Sequence, residues 1–412
     1  MSCSQALKSS LIWSTLSLST LSLSTLYSGC VDTDETPPLM PEAGIEAGDQ
    51  GAAPVAGAAM TGGVMTGGVM TGGAMTGGAS PDLSGLPERL SVASYNVQNL
   101  FDLVDDPERE EYEYTPGGDW NQSAYNARVD NIARVVAEID ADVLVLQEVE
   151  SELALNALAE AVNELGGPEY PHRAVSSTQD IRGIRLAVLS RFPFDRAIGR
   201  PINASHRCGN GLELDGGRPE ARPIYEVSLW GVGDEALLTL LVNHWKSKAA
   251  DPEPCAVSDH HKRAGGQIRG LLEAWLDERA ERSVVVLGDF NAFETEASLR
   301  DALGAVTQRD ALRFPPDLYN LWAELGVGEA GVTDNATNSS YYYDSQWRRL
   351  DHIMLTQPMI DGRGLWQLEA FEQVRPAFVM RDGRPYRWDL ERQEGYSDHF
   401  PIKVSLRRAS DN

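Results

Sequence analysis

The stretch "VVVLGDFNAF", residues 284–293, begins as an apolar run and ends by presenting Asp289 and Asn291. A carboxylate and a carboxamide two residues apart can hold and activate a water, or grip a phosphate oxygen. Other apolar runs end the same way. "SVASYNV" delivers Asn96, "DVLVLQEVE" delivers Glu148, and "LTLLVNHW" delivers Asn243 and His244. "RRLDHIML" opens on Asp351 and His352, and "GYSDHFPIKV" sets Asp398 and His399 before the last apolar run. One polar residue at a strand end is ordinary. Six apolar runs bounded by Asn, Asp, Glu or His describe a cleft, provided that the ends converge.

That inventory suits a hard divalent cation. Mg²⁺ prefers oxygen ligands, commonly one or two carboxylates with water and a substrate phosphate; Mn²⁺ or Ca²⁺ accepts a similar set. Glu148 and Asp398 can supply charge and Asn96 a neutral oxygen. His244 and His399 can move protons or neutralise charge on a phosphate. Asp289 can activate water with Asn291 beside it, and Asp351 can orient a histidine. Metal-assisted attack on a phosphate ester needs these parts.

The elements that must position these residues can be read from periodicity. The runs named above are strands, as are "RLAVLSRFP" and "PIYEVSLW". Residues 125–140 set Val129, Ile132, Val135, Val136 and Ile139 on one helical face. Leu155, Leu158, Val162 and Leu165 fit a second helix; Ile268, Leu271, Leu272, Trp275 and Leu276 fit a third over 263–280. Strands alternating with helices, with some consecutive strands, predict a layered α/β (α+β) body with helices outside packed sheets. No internal repeat and no second boundary interrupts it.

Composition bounds the rest. The chain has 412 residues and a net charge of −26; residues 1–87 carry −6 of it and the remainder −20. An acidic surface offers no field to attract polyanions, which argues against a DNA-coating protein but not against an enzyme gripping one phosphate through a metal. Residues 1–30 read as a signal peptide, and "SGC" ending at Cys30 resembles a lipoprotein cleavage site. Residues 31–87, with "MTGGVMTGGVMTGGAMTGG", form an expected disordered Gly/Ala/Met-Thr-Gly-Gly linker before a catalytic domain at 88–412. The expectation is export, either as an outer-membrane or cell-surface lipoprotein tethered through Cys30 or as a secreted monomer. Cys208 and Cys255 are then candidates for a disulfide. With His206, His260 and His261 they match no common zinc spacing.

Taken together, "YNVQNLFD", "VLVLQEVE", "VNHWKSK", "VVLGDFNAF", "RRLDHIML" and "YSDHFPI" resemble the endonuclease/exonuclease/phosphatase superfamily, the relatives of pancreatic DNase, over roughly residues 88–408. The form "VNHWKSK" followed by "HKRAGGQ" looks closest to its secreted bacterial nucleases. The resemblance implies a four-layered sandwich of two packed mixed β-sheets flanked by helices. It implies metal ligation by Asn96, Glu148 and Asp398, and catalysis by His244, Asp289, Asn291, Asp351 and His399, with both histidines protonated during attack. Many relatives have Tyr where His352 stands, which leaves a role for His352 open.

Nucleic acid, DNA ahead of RNA, is the expected substrate. A phospholipid headgroup or an inositol phosphate is the alternative on the same chemistry, and a silent binding scaffold is a third, poorly matched by a complete residue set. Arg191 and Arg222 stand beside strands, where each can meet a phosphate or form an ion pair. Lys246 and Lys248 can likewise face substrate or solvent, and Asp102 reads as structural.

Overall fold

The computed structural model describes residues 83 and 85–410, apart from 106–112, 181, 203–221, 232–235, 249–253, 314–315, 327–331 and 334–337. The signal and linker segments, Cys30, His206 and Cys208 lie outside the described residues, as does the side chain of Cys255. The expected Cys208–Cys255 pairing and the lipid anchor therefore fall outside them too.

The strands run β1 Arg89–Leu100, β2 Val143–Val149, β3 His172–Val175, β4 Arg185–Ser190, β5 Phe194–Arg200, β6 Ile224–Leu229, β7 Leu238–His244, β8 Val284–Asp289, β9 Ala305–Val306 and β10 Leu318–Asn320. They continue as β11 Val332–Thr333, β12 Tyr341–Tyr343, β13 Gln346–Arg348, β14 Asp351–Thr356, β15 Trp366–Gln373, β16 Met380–Arg381, β17 Arg384–Pro385 and β18 Ile402–Arg408. The helices are α1 Gln122–Ile139, α2 Glu152–Glu164, α3 Pro254–Glu278 and the single turn α4 Pro358–Asp361.

Two large mixed sheets dominate. One is six-stranded, in the order β15-β18-β1-β2-β4-β3; the other is seven-stranded, in the order β5-β6-β7-β8-β14-β10-β9. Strand side chains alternate between faces, and the sequence shows where each face goes. Leu90 and Val92 of β1, Val143 and Val145 of β2, Leu240 and Val242 of β7, Val285 and Leu287 of β8, and Ile353 and Leu355 of β14 fill one core between the sheets. Their alternates Ala93 and Tyr95, with Leu144 and Leu146, pack under α1 and α2. On the other sheet Leu241, Val284, Val286 and Met354 pack under α3 and the short π-helical segment Ser298–Leu303. The result is the expected four-layered order of helix, sheet, sheet, helix.

The helix ends follow local chemistry. Asn121 caps α1 by accepting from Ser123 N and Ala124 N, and Asp140 closes it in the left-handed region at φ 43°. Ser151 caps α2 through Ala154 N. The predicted apolar face of α1 is buried as a stripe. α3 begins earlier than its periodicity indicates, at Pro254, a residue well suited to a helix start. The two- and three-residue strands were not predicted, because so short a run has no readable period; β3, β5 and β15 were missed as well, being sheet-edge strands whose partly exposed residues carry no clear apolar alternation.

Candidate active site

The site lies where the inter-sheet core runs out. Along β8, Val285 and Leu287 face the other sheet, so Asp289 does too. The same parity carries Val242 to His244 on β7 and Ile353 to Asp351 on β14. Register then aligns them: His244 pairs with Asp289 across the parallel β7–β8 contact, and Asp289 pairs with Asp351 across antiparallel β8–β14. Three chemistry-bearing residues form one row at the end of one sheet. Gly288 makes the row possible. Its φ is +133°, and a Cβ there would sit 2.0 Å from the Asn243 carbonyl oxygen.

The opposite sheet supplies Asn96 and Glu148. Asn96 follows the parity of Leu90 and Val92 and is buried. Glu148 does not follow its strand: Leu144 and Leu146 point to the helices, which would take Glu148 away from the cleft. A register shift between Gln147 and Val149 and a φ of 68° at Glu148 turn it inward. Asn96 Nδ2 then donates to Glu148 Oε1 at 3.3 Å and to Asp289 Oδ2 at 3.0 Å, bridging the two sheets.

Asp398 and His399 reach the cleft on the segment before β18. Gln98, two residues beyond Asn96, clamps that segment: its Oε1 accepts from Asp398 N at 3.0 Å and Trp388 N at 3.1 Å. Ser397 Oγ donates to Asn96 O at 2.7 Å and accepts from His399 N. Beneath them Arg128 is fully buried, with its guanidinium donating to the carbonyls of Val97, Gln98, Asn99 and Tyr396. Sequence reasoning missed Gln98 and Arg128. Gln98 had a faint signal in sharing parity with Asn96; a buried arginine reading carbonyls has none.

His399 sits between two buried carboxylates. Its Nδ1 lies 2.7 Å from Asp351 Oδ2, and its Nε2 lies 3.8 Å from Asp289 Oδ2 and 4.0 Å from Asp398 Oδ1. Burial opposes the imidazolium, but Asp351, Asp289 and Asp398 outweigh it and push its pKa up to about 10. His399 is therefore cationic at neutral pH. Asp289 is pushed up to about 7 by burial and by the Asp351 charge, against the pull of His399 and the amides of Asn291 and Asn96. Asn291 N donates to Asp289 Oδ1 at 2.9 Å, and Asn291 Nδ2 to Trp245 O at 3.1 Å.

His244 differs from His399. Its Nε2 lies 3.6 Å from Asp289 Oδ2 and 3.7 Å from Glu148 Oε1. Burial, then the charges of Arg222 and Arg182, hold its pKa well below the ordinary value, so it is neutral here. The expected pair of protonated histidines is thus one cation and one neutral ring; an arriving phosphate anion is the charge that would raise His244.

All eight predicted residues are brought to the cleft. The fit for a cation can be judged from their donors. Glu148, Asp398 and Asn96 offer oxygen. The first two are the more open carboxylates, with side chains 14% and 19% exposed against 2% and 1% for Asp289 and Asp351. Burial, then the Glu148 charge, raises Asp398 against the pull of His399. Ligand atoms of Asp289, Asp351 and His399 also lie within 4.8 Å of one another, close enough to share an ion. His399 is cationic there and would repel a metal ion, so the oxygen set of Glu148, Asp398 and Asn96 fits a hard cation better.

The residues with open readings resolve as structure. His352 is buried, bonded through Nδ1 to Asn320 Nδ2 at 3.0 Å and through Nε2 to Ala292 O at 2.9 Å. Arg222 pairs with Asp180 at 2.8 Å and donates to the His244 and Trp245 carbonyls. Arg191 pairs with Asp140 and Asp142. Lys248 pairs with Glu296. Asp102 accepts from Val104 N and Ser151 Oγ.

The family model for the endonuclease/exonuclease/phosphatase family matches residues 91–408, and the chain belongs to that family, whose members hydrolyse phosphoester bonds. Among solved structures it is similar to a beta toxin of Staphylococcus aureus, at 16% identity and TM-score 0.46, covering 76% of this chain and 99% of that one. It is also similar to a truncated TDP2 of Caenorhabditis elegans, at 16% identity and TM-score 0.43, covering 77% and 98%. A family protein of Bacteroides thetaiotaomicron aligns at 18% identity and TM-score 0.44, covering 77% and 94%. No curated protein matches the sequence.

Proposed function

We propose that the protein is a divalent-metal-dependent phosphodiesterase whose substrate is nucleic acid, DNA foremost. The observation that carries this reading is the buried Asp351–His399–Asp289 array facing Asn96 and Glu148 across the cleft. Asp289 is the base: His399 is already protonated and cannot accept, whereas Asp289, raised toward neutrality, can take a proton from water. Asn291 fixes the Asp289 carboxylate through its backbone N–H. Water attacks phosphorus as its proton passes to Asp289; the new P–O bond forms as the bond to the leaving oxygen breaks in line. The His399 imidazolium, held by Asp351, donates to the phosphate oxygens, and His244 hydrogen-bonds on the Asn96–Glu148 side of the cleft. Glu148, Asp398 and Asn96 would hold a divalent cation, which would supply charge neutralisation at the phosphate and the leaving oxygen.

The acidic overall charge supports recognition by the metal and a few local cations rather than by a broad basic face. The leader and Met-Thr-Gly-Gly repeats support a further part of the reading: export, with the enzyme secreted or tethered by lipid at Cys30. The test is digestion of supercoiled plasmid by the purified protein in Mg²⁺, with EDTA and Asp289→Ala as controls. Nicking lost in both controls is expected. Nicking that survives either one overturns the mechanism. A folded protein that releases phosphocholine from lipid vesicles and leaves plasmid intact overturns the substrate.

A further inference from the structure

Beside His399 stands a surface that the mechanism does not use. β12 and β13 form a hairpin, "YYYDSQWR", closed by Asp344 and Ser345 at φ 49° and 60°. Both turn residues in the left-handed region mark the tight two-residue turn that matches strand twist. Alternation splits its tyrosines. Tyr342 packs on Trp347, at 4.7 Å between ring centroids, and holds the hairpin down. Tyr341 and Tyr343 share the other face, stacked at 6.3 Å with planes 15° apart. Tyr341 bridges to His399 through the backbone, and its ring centre lies 4.5 Å from the His399 ring. Tyr343 is 47% exposed. An aromatic path thus leads from solvent to the group that faces the scissile phosphate.

One cation flanks this path, and others lie close by. Arg348, opposite Tyr341 in register, sets its guanidinium 5.8 Å from the Tyr343 ring centre, and its buried Nε has no partner. Arg384, on the neighbouring β16–β17 hairpin, lies 5.0 Å over Tyr342. Arg387, three residues beyond Arg384, is exposed. Among the described residues none of these three arginines has a carboxylate partner, whereas Arg381 and Arg392 close by are both ion-paired. In a chain of net charge −26, an arginine without a carboxylate partner among the described residues, set beside the exposed Tyr343 and next to the active site, calls for an anionic, flat ligand.

We propose that Tyr343 and Tyr341, with Arg348, form a subsite for the nucleotide flanking the scissile phosphate. An unstacked base lies on Tyr343 while Arg348 takes its phosphate. Base-on-aromatic stacking tolerates any sequence and requires a base outside a duplex, so the substrate class is single-stranded nucleic acid or a frayed end. The proposal rests on the nuclease reading above.

The test uses the full protein in the Asp289→Asn background, so that the probe survives. Fluorescein-labelled tetrathymidylate and its abasic tetramer are titrated in Mg²⁺ and followed by anisotropy. The base-bearing probe should bind about ten-fold more tightly than the abasic one. Tyr343→Ala should erase that preference and Tyr343→Trp should keep it, with thermal melting showing that both variants are folded. Equal binding of the two probes, no binding of either, or a preference that survives Tyr343→Ala would each overturn the subsite. Cleavage is read separately, with wild-type Asp289. Base-dependent binding without Mg²⁺-dependent cleavage sinks the nuclease reading and leaves the subsite standing.

Discussion

Two imidazoles in one cleft carry different charge, and the cause is which carboxylates reach each ring. His399 has Asp351 at 2.7 Å; His244 has its nearest carboxylate among the described residues at 3.6 Å and two arginines acting against its proton. Asp351→Asn removes the partner that keeps His399 oriented and charged. Its kcat should fall by roughly 10²–10⁴-fold with little change in KM, as for loss of a positioned proton donor. Steady-state kinetics on a plasmid or oligonucleotide would show it, and an unchanged kcat would remove the dyad from the mechanism. Glu148→Gln tests the other half of the site. The Mg²⁺ concentration for half-maximal activity should rise by about ten-fold or more, while Asp351→Asn leaves it within about two-fold. The reverse result would move the cation to the Asp289–Asp351–His399 group.

At the scale of elements, register does the positioning. Gly288→Ala places a Cβ against the Asn243 carbonyl and strains φ, and so disturbs the β7–β8 pairing that sets His244 opposite Asp289. A stability loss of about 3 kcal/mol, measured by denaturant unfolding, and a lower kcat are expected together. Wild-type stability in that variant would mean that the strand relaxes freely. The α3 helix is held to the exit of β7 by His261, whose Nε2 bonds the Lys246 carbonyl at 2.8 Å and whose ring packs 5.2 Å from Trp245. Burial, with help from the Lys248 charge and against the Lys246 carbonyl, lowers its pKa to about 4. The unfolded chain takes up this proton near pH 6.5 and the folded one only near pH 4. The stability is therefore complete above pH 6.5 and is lost as pH falls toward 4, by about 3 kcal/mol in all. Unfolding curves of His261→Gln across that window should be flatter by this amount. An unaltered slope would assign acid lability to other groups.

For the whole molecule, charge decides how substrate is found. With −26 overall, long-range attraction to a polyanion is absent, and affinity depends on the metal and on local arginines. Binding of a short DNA by the Asp289→Asn protein should weaken at least about ten-fold in EDTA and show a shallow salt dependence, since few phosphates are neutralised. Tight, steeply salt-dependent binding without metal would point to a basic face elsewhere on the chain.

The amino-acid sequence by itself determined the layers and the donors. Period-2 and period-3.6 patterns are local, so the long buried strands, α1 and α2 could be read directly, as could the polar residues that end each apolar run; the long edge strands β5 and β15, partly exposed along their length, could not. Their convergence was implied only by the resemblance to a known family, and it is the register of β7, β8 and β14 that brings them together. Tertiary structure decided what depends on partners distant in the chain. Parity alone would send Glu148 to the helix side, and only the bulge in β2 turns it to the cleft. Arg222, free in sequence to meet a phosphate, is taken by Asp180 and two carbonyls. His352, next to a site residue, points to the opposite face of β14 and is bonded there. The Tyr341–His399 contact joins a three-residue strand to a loop 58 residues on. Ionisation state belongs to the same class: a histidine is neutral or cationic according to which charges the fold brings within a few ångströms, and no spacing in the sequence specifies them.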